Sequence, residues 1–180
     1  QCPTIVRIIS GQFKARRFSV PKGFPSRPTT DFAKEGLFNI LENQLDLFDL
    51  HILDLCAGTG NISFEFLSRE AGSVIAVDQN SRCLRHISLT SKALGITEGL
   101  TIVKEDILRF VARTTERFNL IFADPPYDIP NIQEFPKMFS EWLTDDGIII
   151  IEHKPQLQFH EAHLLKKEYG STTCTIFAKQ

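Results

Sequence analysis

Residues 51–63 read HILDLCAGTGNIS, an apolar run that passes through two glycines into a polar segment. The run HILDLC predicts a buried strand because it is short and rich in Ile and Leu. Gly58 and Gly60 allow the chain to turn tightly and to approach a ligand closely. A helix is predicted directly afterwards, over residues 61–70. This strand, turn and helix indicate an α/β protein.

The same alternation continues to the end of the chain. Further strands are predicted over residues 73–78, 100–106, 119–124 and 147–153, and a closing antiparallel pair over residues 164–169 and 172–178. Helices are predicted over residues 81–94, 107–114 and 131–143, with Pro136 expected to kink or delay the last one. Continuous Val, Ile and Leu runs between helices are typical of parallel strands covered on both faces. With right-handed crossovers they predict a doubly wound, mostly parallel, seven-stranded Rossmann-like sheet.

The N-terminal region has a different composition. Residues 6–10 and 13–20 flank Gly11 and predict a β-hairpin, residues 21–30 form a proline-rich linker, and a helix is predicted from residue 30 or 31 to about residue 44. Residues 1–30 hold six basic and no acidic side chains, whereas residues 31–180 hold the other 14 basic and all 22 acidic ones. We therefore divide the chain into a basic hairpin arm with its linker, residues 1–30, and an α/β domain, residues 31–180. The arm is either a grip for a polyanion or a solvated edge.

Composition argues against several classes of protein. A hydrophobic fraction of 42% and a charged fraction of 23% are ordinary for one globular domain. No apolar run approaches the roughly 20 residues that cross a bilayer, and the opening QCPTIVRIIS lacks a signal-peptide pattern. Cys2, Cys56, Cys83 and Cys174 have no C-x-x-C spacing, which argues against a zinc site or a disulfide framework and favours the reducing cytoplasm.

The carboxyl ends of the strands carry the candidate binding residues, because ligands of doubly wound sheets lie beyond these ends. The first end holds Asp54 and the turn of Gly58 and Gly60, with Ser63 where a dinucleotide motif would have its third glycine. A dehydrogenase is therefore disfavoured, and an acid before the turn suits a cationic group better than a diphosphate. The alternative is a turn that serves packing alone.

Two further strands end close to an acid. Asp78 can bind the two hydroxyls of a nucleoside ribose, or it can cap the following helix. Asp106 can accept from an adenine amino group or cap a helix, and capping is the safer interpretation. Three acids at successive strand ends fit a ligand with an ammonium, a ribose and an adenine but no phosphate. S-adenosylmethionine (SAM) is such a ligand, and its sulfonium tolerates an acidic environment.

A fourth strand end lies in residues 118–130, FNLIFADPPYDIP. Pro125 and Pro126 lack N–H donors and fix φ, so the Pro125 carbonyl has a defined direction beside the Asp124 carboxylate. These two acceptors can bind both hydrogens of an exocyclic amine and direct its lone pair at a methyl donor, while the Tyr127 ring stacks on the planar base. We interpret the turn as a clamp for a planar amine. A rigid turn that only ends the strand is the alternative.

These motifs together resemble a known family. A D-P-P-Y turn after a strand, downstream of an acidic G-x-G loop, resembles the amino-methyltransferases of the class I SAM-dependent fold. RIISGQFKARRF followed by RPTTDFAKEGLFNIL is similar to the bacterial 16S rRNA guanine-N2 methyltransferases of the RsmD type, from about Arg7 to near the C-terminus. The resemblance implies a monomeric, cytoplasmic enzyme without a metal. Its implied substrate is the N2 amine of a guanine in 16S rRNA, within a partly assembled small ribosomal subunit.

The resemblance also implies roles for the candidate residues, with residues 31–180 as the methyltransferase domain. The implied SAM-binding residues are Asp54, Gly58, Gly60, Asp78 and Asp106. The implied catalytic residues at the target base are Asp124, Pro125, Pro126 and Tyr127. The implied RNA-binding residues are Arg7, Lys14, Arg16, Arg17 and Arg27, among which Phe13 and Phe18 are interleaved as candidates for base stacking. Because a hairpin buries one of its faces, the alternative for one of these two phenylalanines is a place in the core. One departure is Phe32-Ala33-Lys34 where relatives often read Arg-Val-Arg, which reduces the positive charge expected at that turn.

Three other functions stay open at this stage. A DNA adenine-N6 methyltransferase and a protein-glutamine methyltransferase use similar clamps, although Asp124 argues against the glutamine enzymes because these typically carry Asn there. A non-catalytic RNA-binding assembly factor with the same fold is the alternative from a different class. His160 and His163 have no third ligand nearby in the sequence and are interpreted as surface histidines.

Overall fold

The computed structural model describes residues 3–180, which leaves Cys2 outside the described residues. Seven strands form one sheet in the order β5-β4-β3-β6-β7-β9-β8, and two N-terminal strands form a separate hairpin. The hairpin strands are β1 (Thr4–Arg7) and β2 (Arg17–Val20). The sheet strands are β3 (His51–Leu55), β4 (Ser73–Asp78), β5 (Leu100–Lys104), β6 (Phe118–Ala123), β7 (Leu143–His153), β8 (Leu165–Tyr169) and β9 (Thr172–Ala178). The helices are α1 (Asp31–Gln44), α2 (Asn61–Ser68), α3 (Ser81–Leu94), α4 (Ile107–Arg113) and α5 (Phe135–Ser140).

The sheet is doubly wound, as predicted. The five strands from β3 to β7 form the parallel part of the sheet, and β9 is antiparallel to both β7 and β8. The chain proceeds outward from β3 to β5 on one side and from β6 to β7 on the other, so the winding direction reverses between β3 and β6. The mostly parallel, seven-stranded fold with an N-terminal hairpin is thus confirmed, and a ligand crevice is expected where β3 and β6 end.

Apolar side chains cover both faces of this sheet. One face packs against α1, α2 and the N-terminal hairpin around Phe38, Phe66 and Phe122. The other face packs against α4 and α5 around Phe110 and Phe139. Burial on both faces explains why the central strands read as continuous apolar runs rather than as alternating ones. Within residues 3–180, no helix combines the length and the apolar character needed to cross a membrane.

The hairpin, the helix predicted over residues 131–143 and the strand predicted over residues 147–153 differ most in extent from the prediction. β1 and β2 are shorter than predicted and are joined through residues 8–16, a connection that contains Gly11 and in which Ile8 hydrogen-bonds with Ala15 and Arg16. The helix predicted over residues 131–143 is a 3₁₀ turn, Ile132–Glu134, followed by the short α5, which has its proline in the first turn. Proline fits this position because the first N–H groups of a helix have no intrahelical acceptor. β7 begins at residue 143, before a shift in its register with β6.

The N-terminal hairpin is fastened to the sheet domain by one buried carboxylate. Glu65 of α2 accepts hydrogen bonds from the backbone amides of Ile9 and Ser10, each at 3.0 Å. Lys34 of α1 forms an ion pair with Glu65 at 3.0 Å, and both side chains are fully buried. The apolar side of the hairpin joins the larger core through Val6, Ile8, Phe18 and Val20. These contacts hold linker 21–30 at the carboxyl end of the sheet.

Candidate active site

A cleft of about 1160 Å³ opens at the carboxyl ends of the central strands. Its walls include linker residues 25–30, the end of β4, residues 105–107 before α4, residues 124–130 after β6, and residues 171–172 at the start of β9. The register of the strands aligns the residues at its floor: Leu55 pairs with both Val77 and Ala123, and Ala123 pairs with Ile151. The residues that follow these therefore share one row across the sheet, in the order Asp78, Cys56, Asp124, Glu152.

The glycine loop after β3 is held by the first acid of this row. Gly58 and Gly60 have φ values of 55° and 77°, which residues with a side chain adopt only with backbone strain. The Gly58 amide donates to Asp78 Oδ2 at 2.9 Å, and the Asn80 amide donates to Oδ1 at 2.8 Å. Asn80, not Asp78, caps α3. The capping interpretation of Asp78 is therefore wrong, and its carboxylate shapes the loop and the cleft wall.

Asp54 lies beneath the same loop, with only 1% of its surface exposed. The Ser63 hydroxyl donates to Asp54 Oδ2 at 2.5 Å, so the residue in place of a third glycine supports the acid. Burial raises the pKa of Asp54 to about 7, the Ser63 hydrogen bond opposes this, and the charge of Asp78 adds to it. Asp54 does not line the cleft itself but a small adjoining cavity that it shares with Arg27 and Asp124.

Asp106 caps α4, in agreement with the safer interpretation of the sequence. Its Oδ1 accepts from the amides of Leu108 at 3.0 Å and Arg109 at 3.2 Å. The residue also lines the cleft, on the side of Asp78. Capping and contact with a ligand are compatible, because both hydrogen bonds of the cap use one oxygen.

These residues fit a ligand of the SAM type. The acids Asp78 and Asp106 line one side of a cleft that is large enough for a nucleoside with an amino-acid tail. The buried Asp54 carboxylate accepts a hydrogen bond from the Ser63 hydroxyl, and an incoming ammonium would offset the cost of burying its charge. No group of three His, Cys, Asp or Glu side chains in residues 3–180 is arranged to hold a metal ion.

The proline turn after β6 is stiff and partly buried. Asp124 continues the ladder, with its amide donating to the Leu55 carbonyl at 3.2 Å, and the Ile129 amide closes the turn by donating to the Pro126 carbonyl at 3.0 Å. Burial raises the pKa of Asp124 well above the usual range, and the charges of Glu152 and Asp54 raise it further. The Tyr127 ring is 52% exposed, with Lys154 Nζ 5.0 Å from its centroid. The turn thus presents an acid and an open aromatic face to one cleft.

The structure adds Glu152, which the sequence analysis did not select. It is the penultimate residue of β7, it is 7% exposed, and it lines the cleft. Thr172 donates to its Oε1 at 2.9 Å, while its Oε2 is buried without a hydrogen-bond partner in the described part of the chain. A signal was present in the sequence, because GIIIIEH has an acid next to its last residue, close to the end of the strand.

The candidate RNA-binding residues lie in different environments. Arg27 is exposed and lines the cleft, and Lys14 and Arg17 are exposed on the arm. Arg7 forms ion pairs with two acids of α1, and Arg16 donates to the Leu94 carbonyl and lies over the Phe13 ring. The structure therefore brings only Arg27 to the active-site cleft.

Three further side chains near the arm, two aromatic and one cationic, differ in their exposure. Phe18 is buried and packs edge-on against Phe64 at 5.4 Å between centroids, so it is the phenylalanine of the pair that serves the core, as expected for one of them, and it is not a base-stacking residue. Lys34 is buried as well and adds no charge to the surface. Phe32, beside it, is 73% exposed and contacts the edge of the Tyr169 ring.

Known proteins resemble this chain over nearly its whole length. A family model described as conserved hypothetical protein 95 matches residues 6–178. The Bacillus subtilis protein YlbH, provisionally named an rRNA methyltransferase, is 31% identical, with 97% of this chain and 100% of YlbH covered. The Escherichia coli ribosomal RNA small subunit methyltransferase D is 30% identical, with 82% and 74% covered. Among solved structures, a T. thermophilus 16S rRNA N2 methyltransferase in complex with AdoMet and guanosine shares the fold, with a TM-score of 0.76 at 18% identity over 99% of this chain and 50% of that one.

Proposed function

This chain belongs to the family described as conserved hypothetical protein 95, and we propose that it transfers a methyl group from SAM to the exocyclic N2 amine of a guanine in 16S rRNA. The family resemblance seen in the sequence is confirmed, and so is the enzyme class, a methyltransferase. The finer parts of the proposal are the substrate, a partly assembled small ribosomal subunit, and the state of the enzyme, a cytoplasmic monomer. The name of the E. coli relative supports the choice of small-subunit rRNA.

One observation carries the proposal: Asp124 and a rigid proline turn lie at the switch point of the sheet, between an acidic cofactor side and an open aromatic face. An exocyclic amine is a weak nucleophile because its lone pair is delocalised into the ring of the base. Asp124 and the Pro125 carbonyl bind its two hydrogens and hold the nitrogen toward tetrahedral geometry. Asp124 also stabilises the positive charge that develops on this nitrogen.

The cofactor side has a separate set of residues. Asp78, with the loop of Gly58 and Gly60, would bind the ribose, Asp106 the adenine and Asp54 the ammonium. When bound, SAM supplies a sulfonium methyl carbon for in-line displacement by the amine. The protein orients the two reactants, and orientation of this kind can account for about 7–11 kcal/mol of a barrier.

The remaining residues position the RNA. The Tyr127 ring stacks on the flat face of the target base, with Lys154 above its other side. Arg27 lies at the cleft wall, where it binds the backbone next to the extruded nucleotide. Extrusion costs a few kcal/mol, and least in a loop or a single strand, which favours a target guanine that is not held in a regular duplex.

Tritiated-methyl transfer from SAM to small subunits that lack the modification tests the proposal, followed by nucleoside analysis of the RNA. We expect N2-methylguanosine as the product. N6-methyladenosine would contradict the guanine assignment, and an absence of transfer to RNA would contradict the proposal as a whole.

The variant Asp124→Asn tests the role of the clamp. It keeps the shape of the side chain but removes the charge, so we expect transfer to fall at least 100-fold while SAM affinity, measured by calorimetry, stays within about threefold. Asp145→Asn is the matched control, because Asp145 is an exposed acid that pairs with Lys179 outside the cleft. Turnover of Asp124→Asn near that of the control would remove Asp124 from the mechanism.

A further inference from the structure

Asp124 and Glu152 form a pair of carboxylates on one side of the sheet. Their predecessors Ala123 and Ile151 are direct partners in the parallel register of β6 and β7. Residues opposite each other on adjacent parallel strands point to the same face, with their strands about 4.8 Å apart. Both residues line the cleft, and the charge of Glu152 acts on Asp124. A ligand group held by one carboxylate therefore lies next to the other.

Only one oxygen of Glu152 has a partner. Oε1 accepts from the Thr172 hydroxyl, and that bond fixes the carboxyl plane between β7 and β9. Oε2 is buried without a donor in residues 3–180, and only 7% of the residue is exposed. A buried acceptor without a donor is destabilising, because the lost hydrogen bond to water is not replaced. An orphan oxygen of this kind, at the wall of a binding cleft, is explained by a donor that arrives with a ligand.

The chemistry of the bases tells which ligand supplies such a donor. Guanine carries an N1–H donor directly beside its C2 amine. Adenine and cytosine instead have a ring nitrogen that accepts hydrogen bonds beside the exocyclic amine. With the amine on Asp124, the neighbouring ring position faces Glu152. A carboxylate there accepts from guanine and repels the lone pair of the other two bases.

We propose that Glu152 is a specificity-determining residue that accepts the N1–H of the target guanine and thereby excludes adenine and cytosine. This inference rests on the proposed function, since it takes a guanine N2 amine at Asp124 as its starting point. Its rival is a purely structural role, in which Glu152 only anchors the β8–β9 hairpin through Thr172.

An analogue of the target base separates the two roles. 2-Aminopurine keeps the 2-amine but has an acceptor at N1. After nucleoside mapping has located the target, 16S rRNA with guanine or 2-aminopurine at that position is made by ligation of a synthetic segment and reconstituted into small subunits. The ratio of kcat/KM for tritiated-methyl transfer to the two substrates measures the discrimination, for the wild-type enzyme and for Glu152→Gln.

We expect the wild-type enzyme to prefer guanine by at least 10-fold. Glu152→Gln offers an amide that donates to an N1 acceptor, so the preference is expected to fall by at least 10-fold relative to wild type, through a gain on 2-aminopurine as well as a loss on guanine. Glu168→Gln is the matched control, an exposed acid on β8 for which we expect the wild-type preference. SAM affinity and thermal unfolding of each variant show whether the fold is retained.

Each outcome decides between the roles. Equal losses on both substrates in Glu152→Gln, or no discrimination by the wild-type enzyme, would overturn the specificity role, and equal losses would leave Glu152 as a structural anchor. A wild-type enzyme that methylates no guanine N2 would overturn the proposed function itself, and this result is visible before any variant is made.

Discussion

The five candidate carboxylates that line the cleft or its adjoining cavity lie in different environments, which determine what each can do. Asp78 is committed to the glycine loop through two backbone amides, and Asp106 to the first turn of α4. Asp54 is buried under one hydroxyl, and Asp124 and Glu152 lie together with little hydrogen bonding. Backbone amides donate hydrogen bonds to the first two, whereas burial raises the pKa of the other three and makes them costly to ionise. These three are therefore suited to groups that carry positive charge or donate hydrogen bonds.

Asp54 should make the empty protein less stable as the pH rises. Its pKa in the folded protein, about 7, lies above the usual 3.8, so its contribution to stability is complete below about pH 4 and is lost as the pH rises through 7. A shift of three units corresponds to about 4 kcal/mol, at 1.36 kcal/mol per unit. Because part of this loss is complete by pH 5, we expect urea unfolding at pH 5 and pH 8 to show about 2–3 kcal/mol of it in the wild-type protein and a smaller difference in Asp54→Asn.

Asp145→Asn is the control for this measurement. The hydrogen bond from Lys179 lowers the pKa of Asp145, so its contribution has the opposite sign and is lost as the pH falls. An identical pH dependence in Asp54→Asn and in the wild-type protein would show that Asp54 is not the group that titrates.

The acidic limb of the pH–rate profile should report the pair Asp124 and Glu152. Burial raises the pKa of both residues, and the charge of Glu152 raises the pKa of Asp124 further. Transfer requires the Asp124 carboxylate, so kcat/KM should fall with decreasing pH at a higher pH than an ordinary carboxyl would give. Glu152→Gln removes the neighbouring charge, and we expect its limb to move to lower pH. In the control variant Glu168→Gln we expect the acidic limb to stay where it is in the wild-type profile. An unchanged limb in Glu152→Gln as well would show that the charge of Glu152 does not act on Asp124.

At the scale of elements, the sequence predicted best where local signals agreed. α3 was predicted with its observed bounds because Asn80 caps its start and Gly95, with φ of 71°, ends it. β4 was also predicted correctly, as a short apolar run between turns. The segment over residues 131–143 was predicted less well. There Leu143 joins β7 through a bulged pairing with Phe118, and no local pattern reveals such a long-range contact.

The hairpin arm should bind RNA through its free cations rather than through all five predicted residues. Lys14 and Arg17 are exposed, whereas Arg7 and Arg16 are engaged by groups of the protein. We expect Lys14→Glu with Arg17→Glu to weaken binding of 16S rRNA and to reduce the slope of log affinity against log salt concentration by about 1–2, at roughly 0.7 per phosphate contact. The measurement is fluorescence anisotropy over a range of salt concentrations.

A control with the same change of charge shows whether position matters. Arg109 and Lys137 are exposed on α4 and α5, which cover the opposite face of the sheet. If Arg109→Glu with Lys137→Glu reduced the salt slope as much as the arm variant, the effect would be one of net charge, and the arm would be a solvated edge.

At the scale of the whole molecule, the sequence predicted which strands end in acids but not how those ends are aligned. The row Asp78, Cys56, Asp124 and Glu152 exists because four strands pair in one register. Register depends on contacts between residues far apart in the chain, so spacing within each strand does not reveal it. For the same reason the sequence did not reveal that Glu152 lies beside Asp124.

The arm and the sheet domain should behave as one folding unit, although we propose that they have separate tasks, with residues 1–30 as the RNA grip and residues 31–180 as the methyltransferase domain. A chain that begins at residue 31 loses four buried apolar side chains of the hairpin, each worth about 1.5–3 kcal/mol when buried. It also loses the two backbone amides on Glu65 and the carbonyl of Arg7, which accepts from Lys34 at 2.6 Å. The ion pair of Lys34 and Glu65 would then be partly unsatisfied in the protein interior, which is costly.

We expect this truncated chain to unfold at a much lower urea concentration than the full chain and to lose SAM binding. Cooperative unfolding at an unchanged midpoint would instead show that the arm is an independent module attached to a domain that is stable without it.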